Sequence, residues 1–499
     1  MRVVLVAQPI DSVVPPVQNS VGVCTWELAQ ALSVEHEVCV ITAHAGRRRE
    51  ELRVDRLHVV LLPRRVPDRL LRLVLRLRSR LTAHGMLSPR PTSTSAWLYP
   101  CYGRTVRQEL RRLSPEVVHL QHATQYACGI RSAVPHAALV LQAHAEWLPQ
   151  TPQRVLAHRL KAVDLVATVS EYLRARVLAS FPELHGRVLT VRDGATLSAD
   201  LVRKDSAMPR DRRDQEQVIL FVGAVTPHKG VHDLVDAFVR LAPRFTAARL
   251  QVVGPIGAWP MEETFAQGDT TWLPCLRKFY LGDYGQTLLA RIPPHLRDRV
   301  EFTGYLPRTE VLARMSSAAV FAFPSINDEG FGLPPVEAMA AGLPVVVTRS
   351  GALTETVSDG VTGVVVEKGR PDQLAEAIEG LLADRELART MGQAARQCVA
   401  EMFTWTHAAH SAAAAYELAI ARRPPPVHQS AGPLSSRFGR AFGRHLPVTA
   451  AGNGRVAALS LSLPQRPVVF GGGHEEGFCP ALAEEPVRRS VPGQRKQGF

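Results

Sequence analysis

Residues 327–347, N-D-E-G-F-G-L-P-P-V-E-A-M-A-A-G-L-P-V-V-V, constrain the fold more than any other stretch of this 499-residue chain. They follow Val320–Phe323, an apolar run short enough for a buried strand. Gly330 and Gly332 permit tight turns, and Pro334 and Pro335 suit the opening positions of a helix, where a missing N–H costs nothing. The helix is expected to carry Glu337 in its first turn, to stop at Gly342 and Pro344, and to hand over to a second buried strand, Val345–Val347. Strand, glycine loop, helix, strand is a unit that only an α/β sheet accommodates.

A helix start at the carboxyl end of a strand presents unbonded amides and a positive dipole, which suit phosphate. Glu329 and Glu337 flank that loop eight residues apart, and carboxylates accept hydrogen bonds from sugar hydroxyls. Alone, such a pair is better explained by a helix-dipole partner and a solvated acid. At a glycine- and proline-rich junction it points to phosphate flanked by hydroxyls, the chemistry of a nucleotide sugar.

The run D-E-G-F-G-L-P-P-V-E-A-M-A-A-G-L-P-V-V resembles the donor-site motif of the retaining, metal-independent glycosyltransferases of the GT-B fold, a family that includes sucrose synthase-like and bacterial mannosyltransferase enzymes. The resemblance extends more loosely over residues 1–420. It implies two doubly wound, Rossmann-like α/β domains facing across a cleft, a nucleotide diphosphate sugar as co-substrate, and no metal or other cofactor.

Alternating strands and helices in both halves point to the same architecture. The expected division is an acceptor-side domain over 1–200, a charged linker over 201–216 and a donor-side domain over 217–395. A closing helix over 396–421 and a Pro-, Arg- and Gly-rich tail over 422–499, expected to lack order, complete the chain. Strands are expected at Val3–Val6, Val38–Ile41, His58–Leu62, Val117–Leu120, Ala138–Gln142, Leu165–Val169 and Val188–Val191, then at Val218–Val222, 249–253, 300–302 and 363–366. A helix is expected from Thr25 to Leu32, after a loop containing Ser20-Val21-Gly22.

The resemblance carries over residue by residue. His144, after the Ala138–Gln142 strand, stands where the family keeps a histidine that contacts the donor sugar; a buried core histidine is the competing explanation. Gly22 stands in the loop where relatives have a Gly-Gly pair, and serves equally as a turn residue. Lys229, at the start of a helix near Gly230, matches the diphosphate lysine, but the arginine that usually precedes it is here Ala224. Leaving-group charge then falls to Lys229, helix ends, His228 or a distant arginine such as Arg349. Glu329 is assigned to sugar hydroxyls and Glu337 to ribose. Gly332 and Leu333 provide backbone contacts to the donor, with Phe331 beside them. Asp193-Gly194-Ala195-Thr196 replaces the N-G-x-D of relatives and is given no catalytic role.

Other features fix the class more coarsely. Seven scattered cysteines without a C-x-x-C pair argue against a disulfide frame or zinc ribbon. His119 and His122 lack a third ligand nearby in sequence, so a structural role at a strand end is favoured over metal. The net charge of +13 comes mostly from arginine, without the aromatic motifs of nucleic-acid binders. Arg69, Arg72, Arg76 and Arg80 line one face of a leucine-rich stretch at 68–81, which suits either an anionic membrane surface or an ordinary solvated helix. Residues 88–104, with Trp97, Tyr99 and Tyr102, are expected to form an acceptor-side loop, and 254–284, with Trp259 and Trp272, a long insertion that either walls the acceptor or donor pocket or lies at the periphery. No signal peptide or membrane span is visible, so the cytoplasm is the expected location. The acceptor, whether glycolipid, polysaccharide or small natural product, is not legible. Two other readings stay open: a non-catalytic sugar-nucleotide binder, and a sugar-nucleotide epimerase.

Overall fold

Fourteen strands in two sheets organise the described part of the chain, which in this computed structural model comprises residues 1–64, 74, 77, 81, 99–151, 153–197, 217–257 and 273–423. These lie in one compact unit, Met1–Arg423. The basic stretch with Arg69, Arg72, Arg76 and Arg80, Trp97, the 201–216 linker, Trp259, Trp272 and the tail from 424 onward lie outside the described residues.

The first sheet contains β1 (Arg2–Val6), β2 (Glu37–His44), β3 (Glu50–Val54), β4 (Leu57–Pro63), β5 (Val117–Gln121), β6 (Ala138–Ala143), β7 (Leu165–Thr168) and β8 (Val188–Thr190). The second contains β9 (Gln217–Val222), β10 (Ala248–Val253), β11 (Val300–Gly304), β12 (Val320–Phe323), β13 (Val345–Thr348) and β14 (Gly363–Val366). The orders are β3-β4-β2-β1-β5-β6-β7-β8 and β11-β10-β9-β12-β13-β14. Only β3 runs antiparallel, as a hairpin on β4. Parallel strands covered by helices on both faces must be apolar throughout, and β1, β5, β6, β12 and β13 are buried accordingly.

Each sheet reverses its winding once, between β1 and β5 and between β9 and β12. Crevices at such reversals, beyond the carboxyl ends of the strands, are where open α/β sheets bind ligands. The loops leaving β9 and β12, residues 223–230 and 324–332, therefore share the crevice of the second sheet.

Several expectations from sequence are corrected. The first helix begins at Ser20 rather than Thr25, because Asn19 caps it by accepting the Gly22 amide at 2.8 Å. Tyr99 and Tyr102 do not belong to an exposed acceptor loop: Tyr99 is 2% exposed and precedes the helix Pro100–Leu113, and the buried Tyr102 hydroxyl donates to the Ala7 carbonyl at 2.9 Å. Residues 396–421 fall on two helices, Arg385–Met402 and Trp405–Ala421, separated at Phe403 and Thr404. The second packs on Ser20–Leu32 and β6, and the hydroxyl of its Tyr416 lies 2.8 Å from His119 Nδ1. Gly194 permits this crossing, since a Cβ there would lie 2.5 Å from the Thr404 carbonyl carbon and the Trp405 nitrogen.

Candidate active site

Lys229 and Glu329, a hundred positions apart, meet in the crevice of the second sheet. The Lys229 ammonium donates to Glu329 Oε1 at 2.6 Å, and the Ser325 hydroxyl donates to the same oxygen. Backbone lacing fixes the two loops. The Ile326 and Asn327 amides donate to the His228 carbonyl at 2.9 and 3.1 Å. Gly230, with φ of 68°, sits where a Cβ would lie 1.9 Å from the Pro324 carbonyl oxygen. Neighbouring Asp328 is bound by Lys368 at 2.6 Å.

The helix after the glycine loop runs Leu333–Ala340 and has Gly332, at φ 89°, as its N-cap. This start places Glu337 in the second turn, not the first, and turns it inward: it is 7% exposed and ion-paired with Arg308, which also lies 3.7 Å from Glu27 on the first helix. Burial pushes the Glu337 carboxyl up, with Arg308 acting against it. Pro334 and Pro335 have no N–H, so the amides this helix start offers an anion narrow to Gly332 and Leu333. The Phe331 ring is core, edge-on to Phe403 at 5.9 Å. Gly22 lies inside the first helix with its amide bound to Asn19, and a Cβ there would strike the Ser12 carbonyl oxygen at 1.8 Å, so packing accounts for this glycine.

His144 follows β6; its backbone meets the glycine loop of the second half, while its ring is 8% exposed with Nδ1 3.6 Å from Asp193 Oδ2. Its Nε2 lies 2.7 Å from Gln121 Oε1 and its amide donates to His122 Nδ1 at 3.1 Å. Its carbonyl touches Gly330, where a Cβ would lie 2.1 Å from that oxygen. Other contacts also bridge the halves. The Tyr305 hydroxyl donates to the Pro16 carbonyl at 2.9 Å, Arg308 reaches Glu27, and Glu355 accepts the Glu171 amide at 3.0 Å and the Tyr172 amide, capping the helix Glu171–Ser180.

Neither substitute for the arginine missing at Ala224 holds. His228 is enclosed by Thr226 and Tyr280, at 3.2 and 2.9 Å, and burial pushes its pKa down to about 3, so it is neutral at physiological pH. Arg349 is half exposed and pairs with Glu367 at 2.9 Å.

Sequence reasoning missed Arg308, Ser325 and Asp11 and gave Asp193 no catalytic role; Ser325 stands only four residues before its partner Glu329. That reasoning also found no metal-ligand set, whereas the structure gathers Cys24, His144 and Asp193 with one ligand atom each within 4.8 Å of one another. Asp11, in the loop after β1, is 2% exposed; Asn19 donates to its Oδ1 at 2.9 Å, while Oδ2 has no hydrogen-bond partner among the described residues. Burial, opposed by the Asn19 hydrogen bond, raises its pKa from 3.8 to about 6. The native state then holds more protons than the unfolded chain between pH about 4 and 6, so this residue's contribution to stability falls as pH rises through that window. The rise corresponds to about 3 kcal/mol above pH 7. Asp11→Asn is expected to raise the unfolding midpoint by about 2–4 °C at pH 8 and to change it little at pH 4, read by calorimetry at both.

Residues 203–398 match the family described as glycosyl transferases group 1, and the matched stretch contains Lys229, Arg308, Glu329 and Glu337. The chain carries a group 1 glycosyltransferase domain. Over 350 residues, 67% of this glycosyltransferase and 81% of the relative, it is 28% identical to the putative glycosyltransferase YtcC of Bacillus subtilis. It is 31% identical over 250 residues to the GDP-mannose-dependent alpha-(1-6)-phosphatidylinositol monomannoside mannosyltransferase of Mycobacterium tuberculosis, a match covering 48% of this chain and 58% of that protein. Sucrose-phosphate synthase of Thermosynechococcus elongatus superposes with a TM-score of 0.63 at 20% identity, over 85% of this chain and all of that one. HepE of Anabaena, solved with UDP and glucose, gives 0.59 at 18% identity, over 83% of this chain and 99% of that one. The glycosyltransferase thus has the GT-B fold, two parallel α/β sheets facing across a cleft.

Proposed function

We propose that the chain transfers a hexose-type sugar from a nucleotide diphosphate sugar to an acceptor hydroxyl, with retention at the anomeric carbon and without a catalytic metal. The observation that carries this reading is the meeting of Lys229 and Glu329 in the crevice, opposite His144. In the free protein the two charges satisfy each other. When donor binds, Lys229 turns to the diphosphate and Glu329 to the sugar hydroxyls, so neither is left as an unpaired, partly buried charge. The Gly332 and Leu333 amides complete the anion contact, Glu337 takes the ribose, and His144 faces the sugar from the other half.

As the bond between the anomeric carbon and the diphosphate oxygen breaks, its electron pair goes to that oxygen. Lys229 and the two amides stabilise the charge that develops there. The acceptor oxygen bonds to the same face of the carbon and its proton passes to the departing phosphate oxygen, which balances the step. Contact between the halves excludes water and so suppresses donor hydrolysis.

A glycolipid or polysaccharide precursor is the proposed acceptor class, in keeping with the phosphatidylinositol mannoside named for the mycobacterial relative. Action in the cytoplasm at the membrane surface is part of the same proposal. Among the described residues no helix is long and apolar enough to cross a membrane. Thermal unfolding against GDP, UDP, ADP and dTDP with their sugars tests the donor assignment. One nucleotide at a hundred times its Kd should stabilise by about 2.7 kcal/mol, a shift of several degrees. No shift with any nucleotide would remove the donor reading.

A further inference from the structure

We propose that Cys24, His144 and Asp193 form a zinc-binding site on the first sheet's side of the cleft. Cys24 comes from the helix Ser20–Leu32, His144 from the end of β6 and Asp193 from the segment after β8, so the cluster is a product of tertiary structure. Both other donors approach one carboxylate oxygen: Cys24 Sγ lies 3.3 Å and His144 Nδ1 3.6 Å from Asp193 Oδ2. Ligand atoms around a tetrahedral zinc ion, at bond lengths near 2.3 Å for sulfur and 2.0–2.2 Å for nitrogen and oxygen, stand about 3.4–3.6 Å apart. The remaining Sγ to Nδ1 separation lies within 4.8 Å and would have to shorten on binding.

Two independent observations point to a cation. Asp193 is 7% exposed, yet among the described residues its carboxylate receives only a thiol hydrogen bond and the distant imidazole. A thiol is a weak donor, so among the described residues this buried carboxylate has no strong hydrogen-bond donor. The second observation is the far side of the imidazole: Nε2 lies 2.7 Å from Gln121 Oε1, which leaves Nδ1 facing Cys24 and Asp193. Metal-ligating histidines are oriented by such a partner on the other ring nitrogen.

Thiolate and imidazole together select zinc over magnesium or calcium. Three protein ligands leave a fourth position for water. Binding replaces the thiol proton, which is released to solvent, so affinity rises with pH. With Nε2 on Gln121 and Nδ1 on zinc the imidazole has no nitrogen left for a sugar, so an occupied site and a ring contact of His144 to the donor exclude each other, and the site is separate from the transfer reaction.

The experiment is metal titration of the full chain, stripped with a chelator beforehand. Cobalt(II) serves as the spectroscopic probe, and zinc affinity is measured by competition with a chromophoric chelator. One cobalt per chain with a thiolate-to-cobalt charge-transfer band is expected, and the band should vanish in Cys24→Ser and shift or vanish in Asp193→Asn. Gln121→Leu, which keeps all three ligands, should weaken zinc about 10–100-fold. Unfolding midpoints of all variants identify any that misfold. Equal zinc affinity in the wild type and a folded Cys24→Ser, or no saturable binding at micromolar zinc, would overturn the proposal. Neither outcome touches the donor assignment, which nucleotide stabilisation reads separately.

Discussion

Lys229→Gln is expected to lower kcat/KM by about 10²–10³-fold, the range for removing one preorganised donor from a developing anion. The effect should be large because the diphosphate has few other cations to meet it: Ala224 holds the position of the usual arginine, His228 is neutral, and Arg349 is engaged with Glu367. A group that acts on the leaving phosphate in the transition state is lost mainly from kcat, whereas one that only anchors the ground state raises KM. Initial rates across donor concentration distinguish these, and Lys229→Arg should recover part of the loss. Unchanged kinetics in Lys229→Gln would remove this lysine from the mechanism.

Gly330→Ala is the second large expectation, and it acts through closure. The added Cβ would lie 2.1 Å from the His144 carbonyl oxygen and 3.0 Å from its carbonyl carbon, overlaps that no side-chain rotation relieves. The halves must separate locally, which withdraws the His144 backbone from the glycine loop and admits water. A displacement of about 1 Å is enough to cost about 10²-fold in rate. Donor hydrolysis should rise relative to transfer as the acceptor-side wall recedes. Gly282→Ala, where nothing lies within 4 Å of the new carbon, provides the matched control and should behave as wild type. Transfer and hydrolysis measured on one donor preparation test both statements.

Much of the sheet architecture was legible because buried parallel strands announce themselves as apolar runs. Val320–Phe323 and 363–366 match the observed β12 and β14, β2 runs three residues past its expected end at Ile41, and the remaining parallel strands differ by one or two residues at their ends. The strand β3 was not, because Glu50–Val54 is an exposed polar edge whose pairing with β4 leaves no hydrophobic signal. At the site, the glycine loop and Lys229 were legible from local chemistry. The inward turn of Glu337 was not, since it depends on Gly332 taking a left-handed conformation and delaying the helix to Leu333. Arg308 and Asp11 were missed, and Asp193 was given no role, for a different reason. Each has an ordinary local sequence and acquires its meaning from burial and from the partners the fold sets beside it.

The carboxylate of Glu355 gives the cleft a gauge. It supplies, from one half, the acceptors for the first two amides of a helix in the other, Glu171–Ser180. Whenever the halves part, those two protons are released to solvent while the rest of the helix keeps its own bonds. Their deuterium uptake, residue by residue, counts how often the enzyme gapes between turnovers. It does so with no ligand, label or mutation, and in the same sample in which catalysis is followed.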